Sequence, residues 1–180
     1  MQPVVSTKEA ANGKLHLFSL YADFPASVRA RWATSAIIKI IGPRWQSPSE
    51  MWKLDSLTAS ASIKNLLAND AANADVIVVA VSSLKMRPQE LIQWLNSLAA
   101  QEPKRPAAGL LIALLGDEEN ESQELDWTVK QLIRCARQTG RDFIWHWMEK
   151  DAINSSDWLA DHVQDLLARK SAANNEVVFC

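Results

Sequence analysis

Short apolar runs alternate along the chain with stretches whose apolar residues recur at helical spacing, the pattern of repeated βα units that build a parallel sheet. Five runs read as strands: Lys14 to Tyr21, Glu50 to Leu57, Asp75 to Ser82, Ala107 to Leu115 and Arg141 to Met148. The third and fourth are almost unbroken apolar sequence, which suits a strand covered on both faces, so these two are predicted at the centre of the sheet. The second mixes Trp52, Lys53, Leu54 and Asp55, and is predicted at an edge.

The segments between carry helical stripes with matching start and stop signals. Val28, Trp32, Ala36 and Ile40 form the first stripe, with Pro25 near its start and Gly42-Pro43 at its end. Ile63, Leu66 and Leu67 share a face in the second, after a serine-rich start, and Leu91, Trp94, Leu95 and Leu98 form the third behind Pro88. The fourth follows an Asn120-x-x-Gln123 capping pattern, runs through Leu125, Val129, Leu132, Ile133 and Ala136, and stops at Gly140. Leu159, Val163, Leu166 and Leu167 make the fifth. Five βα units are too few for an eight-unit barrel. They suit a flavodoxin-like, doubly wound α/β fold: a parallel five-stranded sheet of order 2-1-3-4-5 with right-handed crossovers and helices on both faces.

Composition narrows the class. The 180 residues are 48% hydrophobic and 22% charged, ordinary globular values. One domain is expected over residues 1–170, followed by a tail, 171–180, that turns abruptly apolar at Val177, Val178 and Phe179. A net charge of -2 argues against the broad basic footprint of a nucleic-acid or anionic-membrane binder. No secretory signal or membrane-spanning run is apparent, and neither cysteine, Cys135 or Cys180, sits in a ligand spacing, so a cytoplasmic setting is expected.

Ligands of open parallel sheets sit beyond the carboxyl ends of the strands, where strand order reverses. The polar residues predicted at that edge are Asp23 after strand one, Ser82 and Ser83 after strand three, Gly116 and Asp117 after strand four, and His146 with Glu149 and Lys150 around the end of strand five. Of these Asp23, Ser82, Ser83, Asp117 and His146 are the ligand-binding candidates. Each has a plainer role beside it. Asp23 precedes a proline-started helix and suits a cap; the serines suit loop hydrogen bonding; the acidic run from Asp117 to Glu121 suits the positive end of a helix; His146 suits a hydrogen-bonded core position.

The layout, with Asp23 after strand one, resembles response-regulator receiver domains over nearly the whole chain. That resemblance implies a signalling module. Receivers carry an acidic pair after strand one, an acceptor aspartate ending strand three, a small hydroxyl residue after strand four and a lysine ending strand five. Here strand three ends in Ser82-Ser83, strand four in Gly116-Asp117 and strand five around His146-Trp147-Met148. With a serine at the acceptor position, aspartyl phosphorylation is not expected. The strings Tyr21-Ala22-Asp23-Phe24, Trp52-x-x-Asp55-x-Leu57 and Ala74-Asp75 are also similar to bacterial proteins of this size to which no activity attaches.

No cofactor is expected. A flavin phosphate would meet the Asp23 carboxylate in Ala22-Asp23-Phe24-Pro25-Ala26-Ser27, and neither G-x-G-x-x-G nor G-x-x-x-x-G-K occurs. His16, His146 and His162 fall in separate elements and form no metal-ligating pair. Among eight tryptophans, Trp32, Trp94, Trp145 and Trp147 are expected in the core. Trp127 lies about 200° around its helix from Leu125, on the face of Lys130 and Arg134, and these three form a candidate interface, because Trp and Arg are enriched in binding hot spots. Helix four and strand five would then serve a homodimer or a protein partner. Three function classes stand: a non-catalytic interaction or signalling module, a small-ligand binder or enzyme using the strand-end residues, and a flavin or nucleotide binder.

Overall fold

The computed structural model describes residues 13–81, 88–101, 109–116, 123–148 and 156–176. Its main sheet contains β2 (Leu17–Tyr21), β4 (Ser49–Lys53), β5 (Val76–Val81), β6 (Leu110–Leu115) and β7 (Asp142–Trp147), all parallel and ordered β4-β2-β5-β6-β7. Two-residue strands β1 (Gly13–Lys14) and β3 (Trp45–Gln46) pair separately. With those two set aside, the order is the expected one, with its reversal between β2 and β5. The helices are α1 (Phe24–Ile41), α2 (Ala61–Asn73), α3 (Pro88–Ala100), α4 (Gln123–Gln138) and α5 (Asp157–Glu176).

Alternation along each strand divides the interior in two. Phe18, Ile77, Val79, Leu111 and Ala113 face one layer with Leu67 of α2, Trp94 of α3 and Leu132 of α4. Leu17, Val76, Val78, Leu110 and Ile112 face the other with α1 and α5. Every residue of β5 and β6 is buried, which is why their sequences lack polar positions.

The first predicted strand is broken. Its two pieces flank Leu15 and His16, whose carbonyl at position 16 accepts from the backbone N–H groups of Asp75 and Val76. The second ends early: after Lys53 the chain enters a short 3₁₀ helix, Leu54–Thr58, so Leu54 and Leu57 are buried beside α2 and α3 instead of extending the sheet.

The inward face of α1 also differs from the predicted stripe. Ala26, Ala30, Ala33, Ile37 and Ile41 are buried, while Val28 is exposed. Three alanines in the first half of this face let the helix approach a sheet face already filled by branched aliphatics, and Trp32, Ala36 and Ile40 pack, partly buried, at its margin. Leu66 on α2 is likewise exposed while Leu67 is buried. The α3 stripe is buried as expected, with Trp94 stacked on Phe18 at 5.9 Å.

The punctuation holds where it is described. The Asp23 side chain accepts from the backbone N–H of Ala26 at 2.9 Å and Ser60 from that of Ile63 at 3.2 Å. Gly42 and Gly140 take positive φ at helix ends, a region open to glycine at little cost. The Asn120 capping pattern lies outside the described residues.

Cys135 is buried on α4, its thiol donating to the Leu95 carbonyl of α3. Burial pushes its pKa up to about 11, the nearby Arg141 charge offsetting part of this. In a Cys180→Ser background the native protein should therefore resist iodoacetamide at neutral pH and become fully alkylated in denaturing guanidinium, as intact mass would report. Rapid native alkylation would mean that α3 and α4 separate readily.

Candidate functional site

At the carboxyl edge, β2 passes to α1 through only Ala22 and Asp23. Both are committed locally. The Ala22 N–H donates to the Ala80 carbonyl of β5 at 3.0 Å, and Asp23 caps the helix through its side chain while its carbonyl accepts from Ser27 N–H. The Ser27 hydroxyl bonds back to the Phe24 carbonyl at 2.7 Å. A helix N-terminus attracts anions because its first N–H groups point outward unpaired; here the chain's own carboxylate occupies that position. Beside it the Phe24 ring stands 80% exposed.

His146 lies near the end of β7, opposite Leu114. Its ring stacks on Trp158 of α5 at 4.5 Å and 12°, and Trp158 in turn meets Trp32 of α1 at 6.4 Å. This row of three rings joins the two helices to the last strand, and its histidine is an aromatic packing partner. Asp23 and His146 stand at strands three steps apart in the sheet order, about 14 Å at ordinary strand spacing. They form no acid–base pair. Ser82, Ser83 and Asp117 lie outside the described residues. Among the described residues, no group of three or more His, Cys, Asp or Glu side chains is arranged to hold a metal ion.

On α4, Trp127 is half-buried, and Lys130 and Arg134 are exposed. Trp145 departs from its expected core position: on the edge strand β7 it is 49% exposed, with Trp147 packed edge-on against it at 6.3 Å. The alternation that paired the two tryptophans on one face was legible in the sequence. So was the place of β7 at an edge of the sheet, but not that Trp145 is left half exposed on it.

The opposite edge of the sheet holds features without a sequence signature. A groove of about 110 Å³ is lined by His16, Pro48, Glu50 and Asp70, among others. Burial raises the Asp70 pKa, and the Glu50 charge adds to that. Nearby, Asp75 takes the His16 N–H at 2.8 Å and the Lys170 ammonium at 2.5 Å. The Arg141 guanidinium donates to the carbonyls of Ala71, Ala72 and Ala74 at the end of α2. These contacts fasten helix ends to strand beginnings.

No helix among the described residues is long and apolar enough to cross a membrane. No protein-family model and no curated protein sequence matches the chain. Among solved structures, a short-chain flavodoxin associated with a PDU bacterial microcompartment aligns with a TM-score of 0.55 at 12% identity, over 84% of this chain and 97% of that one. A flavodoxin of Streptococcus pneumoniae aligns with a TM-score of 0.49 at 15% identity, over 88% and 99% respectively. At such identities the likeness is one of architecture, and together with the parallel order β4-β2-β5-β6-β7 it makes the fold of this chain flavodoxin-like.

Proposed function

We propose that this chain is a non-catalytic, receiver-like interaction or signalling module, working without aspartyl phosphorylation, that engages a protein partner through α4 and β7. The observation that carries the reading is Trp145. A tryptophan 49% exposed on the last strand of a sheet places a large apolar group beside backbone N–H and C=O groups that no further strand takes up among the described residues. An open edge of this kind pairs with added strands or is covered by a partner. Lys130 and Arg134, exposed on the neighbouring α4, would supply the charged rim that steers association.

The absence of phosphotransfer rests on Ser82 at the acceptor position and on the engagement of Asp23 as a helix cap. A second reading, a flavin or other small ligand at the carboxyl edge, is favoured by the flavodoxin that aligns at TM-score 0.55. It meets a two-residue β2–α1 connection whose helix end already carries a carboxylate. A phosphate placed there would displace that cap and face its charge.

Two measurements on the same preparation test the reading. Native mass spectrometry should show the bare polypeptide mass, without absorbance near 450 nm; a co-purifying flavin that is lost in Asp23→Ala would instead establish the second reading. A partner retained by immobilised wild type and by Asp23→Ala protein, but not by Trp145→Ser, is the expected outcome. Equal retention by Trp145→Ser would remove the β7 surface from the proposal.

A further inference from the structure

The layer formed by α1 and α5 carries opposite charge on its two outer faces. On α1, Val28, Arg31, Ile38 and Lys39 are exposed and lie within about 100° of one another on the helical wheel, opposite the buried alanine face. No acidic residue occurs anywhere in α1. On α5 the exposed face carries Asp161 and Asp165, opposite Leu159, Val163 and Leu166. None of Arg31, Lys39, Asp161 and Asp165 pairs with another charge among the described residues.

We propose that this layer is the self-association surface of the protein, with a second copy seated so that α1 of each lies over α5 of the other. The two helices run side by side in the same direction, both starting at the carboxyl edge of the parallel sheet. The Trp32–Trp158 stack sets their relative height. Lys39 follows Trp32 by seven residues and Asp165 follows Trp158 by seven, so these two charges stand at one level. Asp161 lies between the levels of Arg31 and Lys39. A twofold axis within the interface and parallel to the helices keeps every level and exchanges α1 with α5, which sets Lys39 against Asp165, Arg31 near Asp161, and removes Ile38 from water. A twofold axis across the helices would instead lay α1 on α1 and place like charges together. Charge therefore selects one arrangement, and it is isologous: the same contact forms twice.

Sedimentation equilibrium over micromolar to several hundred micromolar concentrations tests this with exposed substitutions. The wild type should dimerise, more weakly at high salt. Arg31→Glu/Lys39→Glu and Asp161→Lys/Asp165→Lys should each keep the wild-type Tm while weakening self-association by about tenfold or more, since like charges then face each other twice. Mixed in equal amounts, the two variants should pair with each other about as tightly as the wild type does. A wild type that stays monomeric, a dimer indifferent to both charge reversals, or a mixture that associates no better than its components would each overturn the proposal. Trp145→Ser should leave this dimer intact; a dimer lost in Trp145→Ser but kept in both charge reversals would place self-association on β7 and overturn it as well.

Discussion

Replacing Arg141 with methionine should lower the unfolding free energy in urea by about 2–4 kcal/mol, because it removes a donor from three part-buried carbonyl groups, of which that of Ala71 also accepts from the Ala74 N–H. The guanidinium bonds the carbonyls of Ala71, Ala72 and Ala74 at 2.8–3.3 Å, and so closes the C-terminus of α2, whose exposed carbonyls carry the negative end of the helix dipole. Burial lowers the pKa of Arg141, with Cys135 and Asp75 acting in the opposite sense, yet a guanidinium remains protonated throughout the accessible range. Arg141→Lys should recover only part of the loss, since one ammonium on a flexible stem replaces a planar fork. Gly109→Ala offers an independent check: a Cβ there would stand 2.9 Å from Arg141 Cγ and 3.1 Å from Nε, close to the root of the side chain. Displacing it should cost about 1–3 kcal/mol. A fully stable Arg141→Met protein would show that α2 is held by its apolar face alone.

The second large effect is expected at Asp75. Its side chain is 5% exposed and that of its partner Lys170 is 13% exposed, with 2.5 Å between them. Removing one member of a buried pair leaves the other charge in a poorly solvated place, so Asp75→Ala should cost about 3–5 kcal/mol. It also strands the His16 N–H. Lys170→Met removes the ammonium that additionally bonds the Lys14 carbonyl. The double variant should lose less than the sum of the two single losses, because the second substitution removes the charge that the first leaves unpaired. Additive losses in urea denaturation would show that the two side chains act separately.

Both predictions concern the amino edge of the sheet, while the functional proposals concern its last strand and its outer helical layer. This division suits a doubly wound fold, in which one edge of the sheet holds the strand beginnings together and leaves other surfaces free to vary.

Periodicity carried most of the fold because burial leaves a local trace. Val76–Val81 and Leu110–Leu115 must be apolar throughout to lie between two helical layers, and Leu91, Trp94, Leu95 and Leu98 must recur at helical spacing to cover one of them. Local hydrogen bonding was equally legible at Asp23, Gly42 and Gly140. Misreadings arose where bulk and burial parted company. Val28 outranked Ala30 as a stripe residue by hydrophobicity, yet the face turned to the sheet is that of Ala26, Ala30, Ala33, Ile37 and Ile41. Leu54 and Leu57 looked like a strand continuing, but a 3₁₀ turn brings both into the core.

The candidate site was less legible, since proximity between distant segments leaves no periodic trace. By itself the sequence determined the five βα units, their parallel order, the central pair of strands and the helix caps, all consequences of local chemistry and of alternation between apolar and polar residues. Tertiary structure alone decided that His146 packs into a row of rings, that Arg141 closes a helix some 70 positions earlier, that Lys170 reaches Asp75, and that Trp145 is half exposed to solvent. Such contacts depend on where the chain's remote segments meet, which the packing of whole layers sets and no single stretch of residues encodes.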